Sequence, residues 1–323
     1  MKLFDYRRMR RHYEVKEITE NQDTVLQYLD SEREQERLEQ EREEQHPRGL
    51  RLLVMDLDGT LTNDEKRILP ETKEALMRLQ REGVRLVLAS GRPTPGIMPL
   101  VHELQMDRFG GFILSFNGGM VIDAQTMTEL HCQTLTPEEQ RMIVEEARRD
   151  GHAPLSYKNG KIVCEAAGPD EYILEEARIN RMDVMYTDDL LRELRDEEVV
   201  KLLVVGEPSR LAATEQAMQR LREMGVWAYR SQPFFLETVP AGIDKAESLK
   251  KLLAHLGMTP ENMMAIGDGG NDLSMIRLAG VGVAMANSMP HVKEGADWVT
   301  TRDNNHDGVG EAVSRFFPEL TLA

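Results

Sequence analysis

From Leu50 onward the chain alternates short, almost wholly apolar runs with amphipathic stretches, and that alternation limits the fold more than any other feature. Leu50 to Leu57 (LRLLVMDL) reads as a buried strand, Glu71 to Gly83 as an amphipathic helix closed by glycine, and Val84 to Ser90 as a second strand. Helix Pro95 to Met106 and strand Gly111 to Phe116 follow. The rhythm resumes far down the chain with helix Asp244 to Gly257, strand Met263 to Asp268, helix Asp272 to Ala279, strand Val281 to Ala286 and helix Pro290 to Ala296. Strands that are apolar throughout need cover on both faces, which intervening helices supply. The pattern therefore predicts an α/β fold with a doubly wound parallel sheet. Ligands of such sheets sit outside the carboxyl ends of the strands.

Residues 134–236 break the rhythm. Thr136-Pro137-Glu138-Glu139 opens a helix reaching about Asp150, with an acidic first turn. Asn159-Gly160 is a hairpin dipeptide between two short strands. Helices near Asp170 to Met182 and Pro208 to Met224 surround strand Val199 to Val205, and strands Val226 to Arg230 and Phe234 to Val239 lead back. So long a mixed α+β stretch is too much for a loop and predicts a second, smaller domain inserted into the first. The expected division is 49–133 with 237–323 as a core, and 134–236 as the insert. Residues 1–48 differ from both, with 10 Lys/Arg and 13 Asp/Glu and a dense charged run from Ser31 to Gln45. Val15, Ile18, Val25 and Leu29 allow one short apolar stripe, which Glu32 and Glu36 end. This extension reads as helical or disordered: either a solvated arm, or a helix for a partner or for self-association.

Composition removes other classes. A length of 323 residues suggests about two domains. The 56 Asp plus Glu against 40 Lys plus Arg leave a net charge of −16, which repels phosphate backbones and argues against nucleic acid. No apolar run approaches the roughly 18 residues of a membrane span. The basic segment Met1 to His12 is not followed by the apolar core of a secretion signal. Cys132 and Cys164 cannot form a disulfide framework or a paired metal clip, which fits a reducing, cytoplasmic compartment.

Polar residues gather where strands end. In Asp56-Leu57-Asp58-Gly59-Thr60-Leu61-Thr62 the period of two sends Asp56 and Asp58 to one side, where one carboxylate can attack while the other handles protons. Gly59 allows a sharp turn with exposed N–H groups, and Thr60 offers a hydroxyl to an anionic oxygen. An ordinary Asp-Gly turn is the plainer alternative. Ser90-Gly91-Arg92, after the second strand, is either a phosphate-holding hydroxyl and N–H or a simple loop with a surface cation. Gly267-Asp268-Gly269-Gly270-Asn271-Asp272 suits a hard cation beside an anion, and helix capping by Asn271 or Asp272 would not explain Asp268 or the glycines. Lys245 begins the helix that returns from the insert, where a lone lysine is ordinarily solvated.

These four segments, in this order, closely resemble the haloacid dehalogenase superfamily of phosphohydrolases, over Leu50 to Phe317. The gap between Ser90 and Lys245 resembles that of members with a cap of the second type, subclass IIB, and Asp307-Gly308-Val309-Gly310-Glu311-Ala312 looks like the Cof-type sugar-phosphatase group. The resemblance implies that Asp56 is a nucleophile forming an aspartyl-phosphate and that Asp58 is the general acid and base. It implies Mg²⁺ on Asp56, the Asp58 carbonyl and Asp268. The phosphoryl oxygens would be held by Lys245, Ser90, Gly91, Asn271, Thr60 and the backbone after Asp56, at Leu57. Asp272 would orient Lys245 or Asn271. The expected function is Mg²⁺-dependent hydrolysis of small organic phosphate monoesters, above all sugar phosphates. Alternatives are a phosphotransferase or phosphomutase, a flavin or pyridoxal phosphate phosphatase, and a non-enzymatic scaffold. Tyr157, Arg178 and Tyr186 stand in the insert without an assigned role.

Overall fold

The structure, a computed structural model, describes residues 49–318, and from Leu50 these belong to one compact unit. The charged extension, with its proposed self-associating helix, lies outside the described residues. Fourteen strands among the described residues form two sheets. In chain order they are β1 Leu52–Met55, β2 Arg85–Ala89, β3 Phe112–Ser115, β4 Met120–Asp123, β5 Glu129–Cys132, β6 Ala153–Lys158 and β7 Lys161–Glu165. They continue with β8 Val184–Thr187, β9 Leu202–Val205, β10 Val226–Gln232, β11 Phe235–Pro240, β12 Met263–Gly267, β13 Val281–Ala284 and β14 Trp298–Val299.

The larger sheet runs β14-β13-β12-β1-β2-β3-β4-β5. Its pairs from β14 to β3 are parallel, as the apolar runs predict. Along β1 alternate side chains enter different cores: Leu53 and Met55 on one face, Leu52 and Val54 on the other. Both faces are covered, which is why the run is apolar throughout. At the far edge β3, β4 and β5 pair antiparallel, so the sheet is mixed rather than wholly parallel. The cause is a tight reversal at Phe116–Gly118, where Phe116 (φ 53°) and Asn117 (φ 57°) adopt left-handed backbone before the chain returns as β4.

Register fixes the site. Met55 of β1 pairs with Leu88 of β2 on one side and Ile266 of β12 on the other. The next residues in each strand therefore leave the sheet at one level, bringing Asp56, the Ala89–Ser90 loop and the Gly267–Asp268 loop to one edge.

The smaller sheet has the order β10-β11-β9-β6-β7-β8 and is antiparallel except for β7 with β8. Helix Pro137–Arg149 packs on it, started by a capping box between Thr136 and Glu139. Helix Glu171–Asn180 starts on Asp170, whose carboxylate accepts from the N–H groups of Tyr172 and Ile173. The helix expected over Pro208 to Met224 is α-helical over Pro208–Met218 and tightens to 3₁₀ over Gln219–Met224. Strand β11 runs through residue 236, carrying this sheet to Pro240 before helix Lys245–Leu256 rejoins the larger one. Among the described residues no helix is long and apolar enough to cross a membrane.

Candidate active site

Lys245 organises the strand ends. It is 1% exposed, and its ammonium donates to Asp56 Oδ1 at 2.6 Å, Asp272 Oδ1 at 2.6 Å and the Ala89 carbonyl at 2.9 Å. Burial alone would discharge it, but the charges of Asp272 and Asp56 outweigh that and hold its pKa above the ordinary lysine value. The other oxygen of Asp272 accepts from the N–H groups of Asp268 (3.0 Å) and Gly269 (2.8 Å). Asp272 thus bonds Lys245 with one oxygen and ties the loop with the other.

Asp56 is buried beside Asp272 and Asp268, and burial first, then those charges, raises its pKa well above the usual carboxylate range despite Lys245. Thr60 gives its hydroxyl to Asp268 Oδ1 at 2.9 Å, so the side chain expected to reach an anionic oxygen steadies a carboxylate. Leu57 buries its side chain, and its carbonyl accepts from Thr62, which leaves the backbone N–H for any ligand contact. Gly59 has φ +85°, and a Cβ there would lie 2.5 Å from Asp268 Oδ2. Only glycine gives both the turn and the room.

Asp58 meets two cations. Arg92 grips it with Nε on Oδ2 (2.8 Å) and Nη2 on Oδ1 (2.6 Å), and Lys66 Nζ adds a bond to Oδ1 at 2.6 Å. Burial would raise this carboxyl, but the hydrogen bonds and charges of Arg92 and Lys66 prevail and lower its pKa. Arg92, an open question between a loop cation and a functional one, is 9% exposed and belongs to the site. Ser90 is buried, and its hydroxyl accepts from the Arg92 N–H at 3.1 Å.

Asp56, Asp58, Ser90, Gly91, Asp268, Asn271 and Asp272 line a cavity of about 600 Å³ between the two sheets. Sequence reasoning missed the rest of its wall. Asn117, from the left-handed turn, accepts from Asn271 Nδ2 at 2.9 Å and donates to Tyr229 OH at 3.4 Å. Lys201 and Glu176 come from the insert, as does Arg178, one of the residues singled out there, and Glu237 comes from the stretch of β11 that carries the smaller sheet past residue 236. Tyr157 stands behind the wall, giving its hydroxyl to Glu176, and Tyr186 lines a separate open depression. An asparagine-glycine pair after an apolar strand and a glutamate inside the apolar run FLETVP were the available signals.

Carboxylate oxygens of Asp56, Asp268 and Asp272 lie within 4.8 Å of one another. Burial, followed by the charges of Asp272 and Asp58, pushes Asp268 up to about 6 against the pull of Thr60 and Lys245. One lysine does not balance these carboxylates, and a hard divalent cation is the ligand class that fits the donor set.

A strand-end carboxylate, a buried lysine and an acidic loop on a doubly wound sheet define an enzyme that works on an anionic group. The chain belongs to the haloacid dehalogenase-like hydrolases, whose family model matches residues 53–313. A haloacid dehalogenase-like hydrolase from Bacteroides thetaiotaomicron is 46% identical, with a TM-score of 0.80 over 83% of this chain and 100% of that one. A Bacillus subtilis protein, 5-amino-6-(5-phospho-D-ribitylamino)uracil phosphatase YcsE, is 28% identical over 82% of this chain and 94% of its own. The HAD subclass IIB sugar phosphatase BT4131 shares the fold at 24% identity, with a TM-score of 0.68 over 83% of this chain and 99% of that one.

Proposed function

We propose that this hydrolase is a metal-dependent phosphatase of small organic phosphate monoesters, above all sugar phosphates, acting through an aspartyl-phosphate on Asp56. The observation that carries the reading is Lys245, buried behind the cavity wall and bonded to Asp56 and Asp272, two carboxylates that line it. A phosphate seated there meets a fixed cation and an in-line carboxylate, and positioning with electrostatics is most of what phosphoryl transfer requires. Asp56, Asp268 and the Asp58 carbonyl would hold Mg²⁺, which when bound neutralises phosphoryl charge. Lys245, Ser90, Gly91, Asn271 and the N–H groups of Leu57 and Thr60 would hold the oxygens, with Asp272 orienting Lys245.

Asp56 attacks phosphorus and the ester bond breaks toward the alcohol oxygen, which takes a proton from Asp58. Asp58, then a carboxylate, accepts a proton from the water that cleaves the aspartyl-phosphate. Arg92 and Lys66 lower the pKa of Asp58, which favours the carboxylate that this second step needs. An arriving phosphate adds negative charge beside Asp58, which raises its pKa toward the protonated form that the first step needs.

In this reading residues 49–133 and 237–323 are the catalytic body, and 134–236 the cap that contacts the alcohol in a cytoplasmic enzyme. The named activity of the Bacillus relative favours a second substrate, a ribityl phosphate on a flavin precursor. Phosphate release from a panel of sugar, ribityl, flavin and pyridoxal phosphates, with Mg²⁺ and after chelation, tests the proposal. Metal-dependent release that is lost in Asp56→Asn supports it, and release that persists in Asp56→Asn defeats it.

A further inference from the structure

The cavity wall facing the strand ends is made of buried ionisable groups whose cost is unexplained by packing. Glu176 is 5% exposed, Glu237 7% and Lys201 4%. Such residues are almost never buried without a partner or a task. Lys201 lies against the rings of Phe116 and Tyr157, at 5.8 and 5.6 Å, and reaches across to donate to the Gly91 carbonyl at 3.1 Å. Glu237 stands 3.6 Å from Lys201 and accepts from Tyr229 OH at 3.3 Å. Glu176 Oε1 takes hydrogen bonds from the neutral donors Tyr157 OH (2.6 Å) and Asn180 Nδ2 (2.7 Å). Among the described residues Glu176 forms no salt bridge, and burial lifts its pKa above the ordinary value.

The cations of the same cavity are already engaged. Arg178 pairs with Glu175, Arg230 with Glu215, Lys66 and Arg92 with Asp58, and Lys201 with Glu237. No ammonium or guanidinium among these is spare for a second phosphate or a carboxylate, and Glu176 and Glu237 repel both. Hydroxyl groups are the complementary ligand, since they donate to carboxylates and accept from Lys201 without adding charge.

We propose that Glu176, Glu237 and Lys201 form the subsite that reads the alcohol half of the ester, selecting a neutral, polyhydroxylated alcohol that carries a single phosphate. This rests on the phosphatase reading and narrows it. Lys201, bonded beside Gly91, meets the hydroxyl nearest the phosphate, and the two carboxylates meet those further along. A bare alkyl phosphate leaves three buried polar groups without ligand partners, and a bisphosphate brings charge against Glu176 and Glu237.

The test compares kcat/KM for a hexose monophosphate, hexyl phosphate and a hexose bisphosphate in the full chain with Mg²⁺, and acetyl phosphate as a substrate without an alcohol. The hexose monophosphate is expected to exceed hexyl phosphate and the bisphosphate by roughly 100-fold. In Glu176→Leu the preference over hexyl phosphate falls about tenfold or more. The conservative Glu176→Gln and Glu237→Gln weaken the rejection of the bisphosphate. Preferences unchanged within about twofold, or an equal fall on all three esters, overturn the subsite. A wild-type preference for hexyl phosphate or the bisphosphate also overturns it. Metal-dependent release from acetyl phosphate without any such preference defeats the subsite alone; release from none of the four defeats the phosphatase reading with it.

Discussion

Lys245→Met tests whether the site is held together by one buried cation. The replacement keeps most of the side-chain volume and removes the charge, so packing changes little. It leaves Asp56 and Asp272 buried without the ammonium that each meets at 2.6 Å, and the Ala89 carbonyl without its donor. Removing one partner of a buried ion pair costs about 3–5 kcal/mol. For a unit of this size that lowers the melting temperature by roughly 6–20 °C. The loss should depend on pH in a definite sense. Asp56 has a folded pKa already raised above its unfolded value, and the variant raises it further. A carboxyl so raised favours folding below its unfolded pKa, and that contribution is lost as pH rises through the folded pKa. The gap between wild type and variant therefore widens as pH rises through the wild-type folded pKa of Asp56. Lys245 itself is raised above the usual lysine range and stays charged through that rise. Thermal unfolding in the presence of a chelator, so that no metal replaces the lost charge, measures both effects. A variant as stable as wild type at pH 8, or a gap that narrows with rising pH, refutes the role given to Lys245.

Asp56→Asn should abolish phosphate release yet raise the melting temperature at pH 8 by a few degrees, about 1 kcal/mol, because a group whose charge burial and neighbouring carboxylates disfavour becomes a neutral amide; the gain shrinks as pH falls below the folded pKa of Asp56 toward the ordinary carboxylate range. Gly59→Ala forces Asp268 aside, since the added carbon would meet its carboxylate at 2.5 Å, and the Mg²⁺ concentration for half-maximal activity should rise about tenfold. Arg92→Lys replaces a two-pronged guanidinium with a point charge, so Asp58 titrates at higher pH and the alkaline limb of the kcat/KM profile, set by loss of the Asp58 proton, moves up with it; an unmoved limb removes Asp58 from the first step. Chelation should stop turnover and Mg²⁺ should restore it, with phosphate release as the readout.

The legible part of this chain is what strand register delivers. Apolar runs fix β1, β2 and β12, and once β1 lies between the other two, the residues after Met55, Ala89 and Gly267 must emerge together. Asp56, Ser90 and Asp268 could be placed on one edge from sequence because each directly follows or closely trails its strand. The antiparallel edge was missed because its cause is a reversal at Phe116–Gly118, where bulky Phe116 takes a positive φ that side-chain chemistry does not advertise. Arg92 was ambiguous because its partner Asp58 lies 34 positions earlier and meets it only where the ends of β1 and β2 lie side by side. The wall supplied by the insert was hidden for a further reason. Glu176 sits on a helix and Lys201 just before a strand whose apolar side chains build the insert's own core, and by pattern alone their charged side chains read as solvated. The bond from Lys201 to the Gly91 carbonyl turns that outer face into the inner wall of a cavity. On the proposed reading, specificity resides in contacts made only when two separately patterned layers meet, whereas the phosphoryl chemistry resides in one sheet whose order a single pass along the chain reveals.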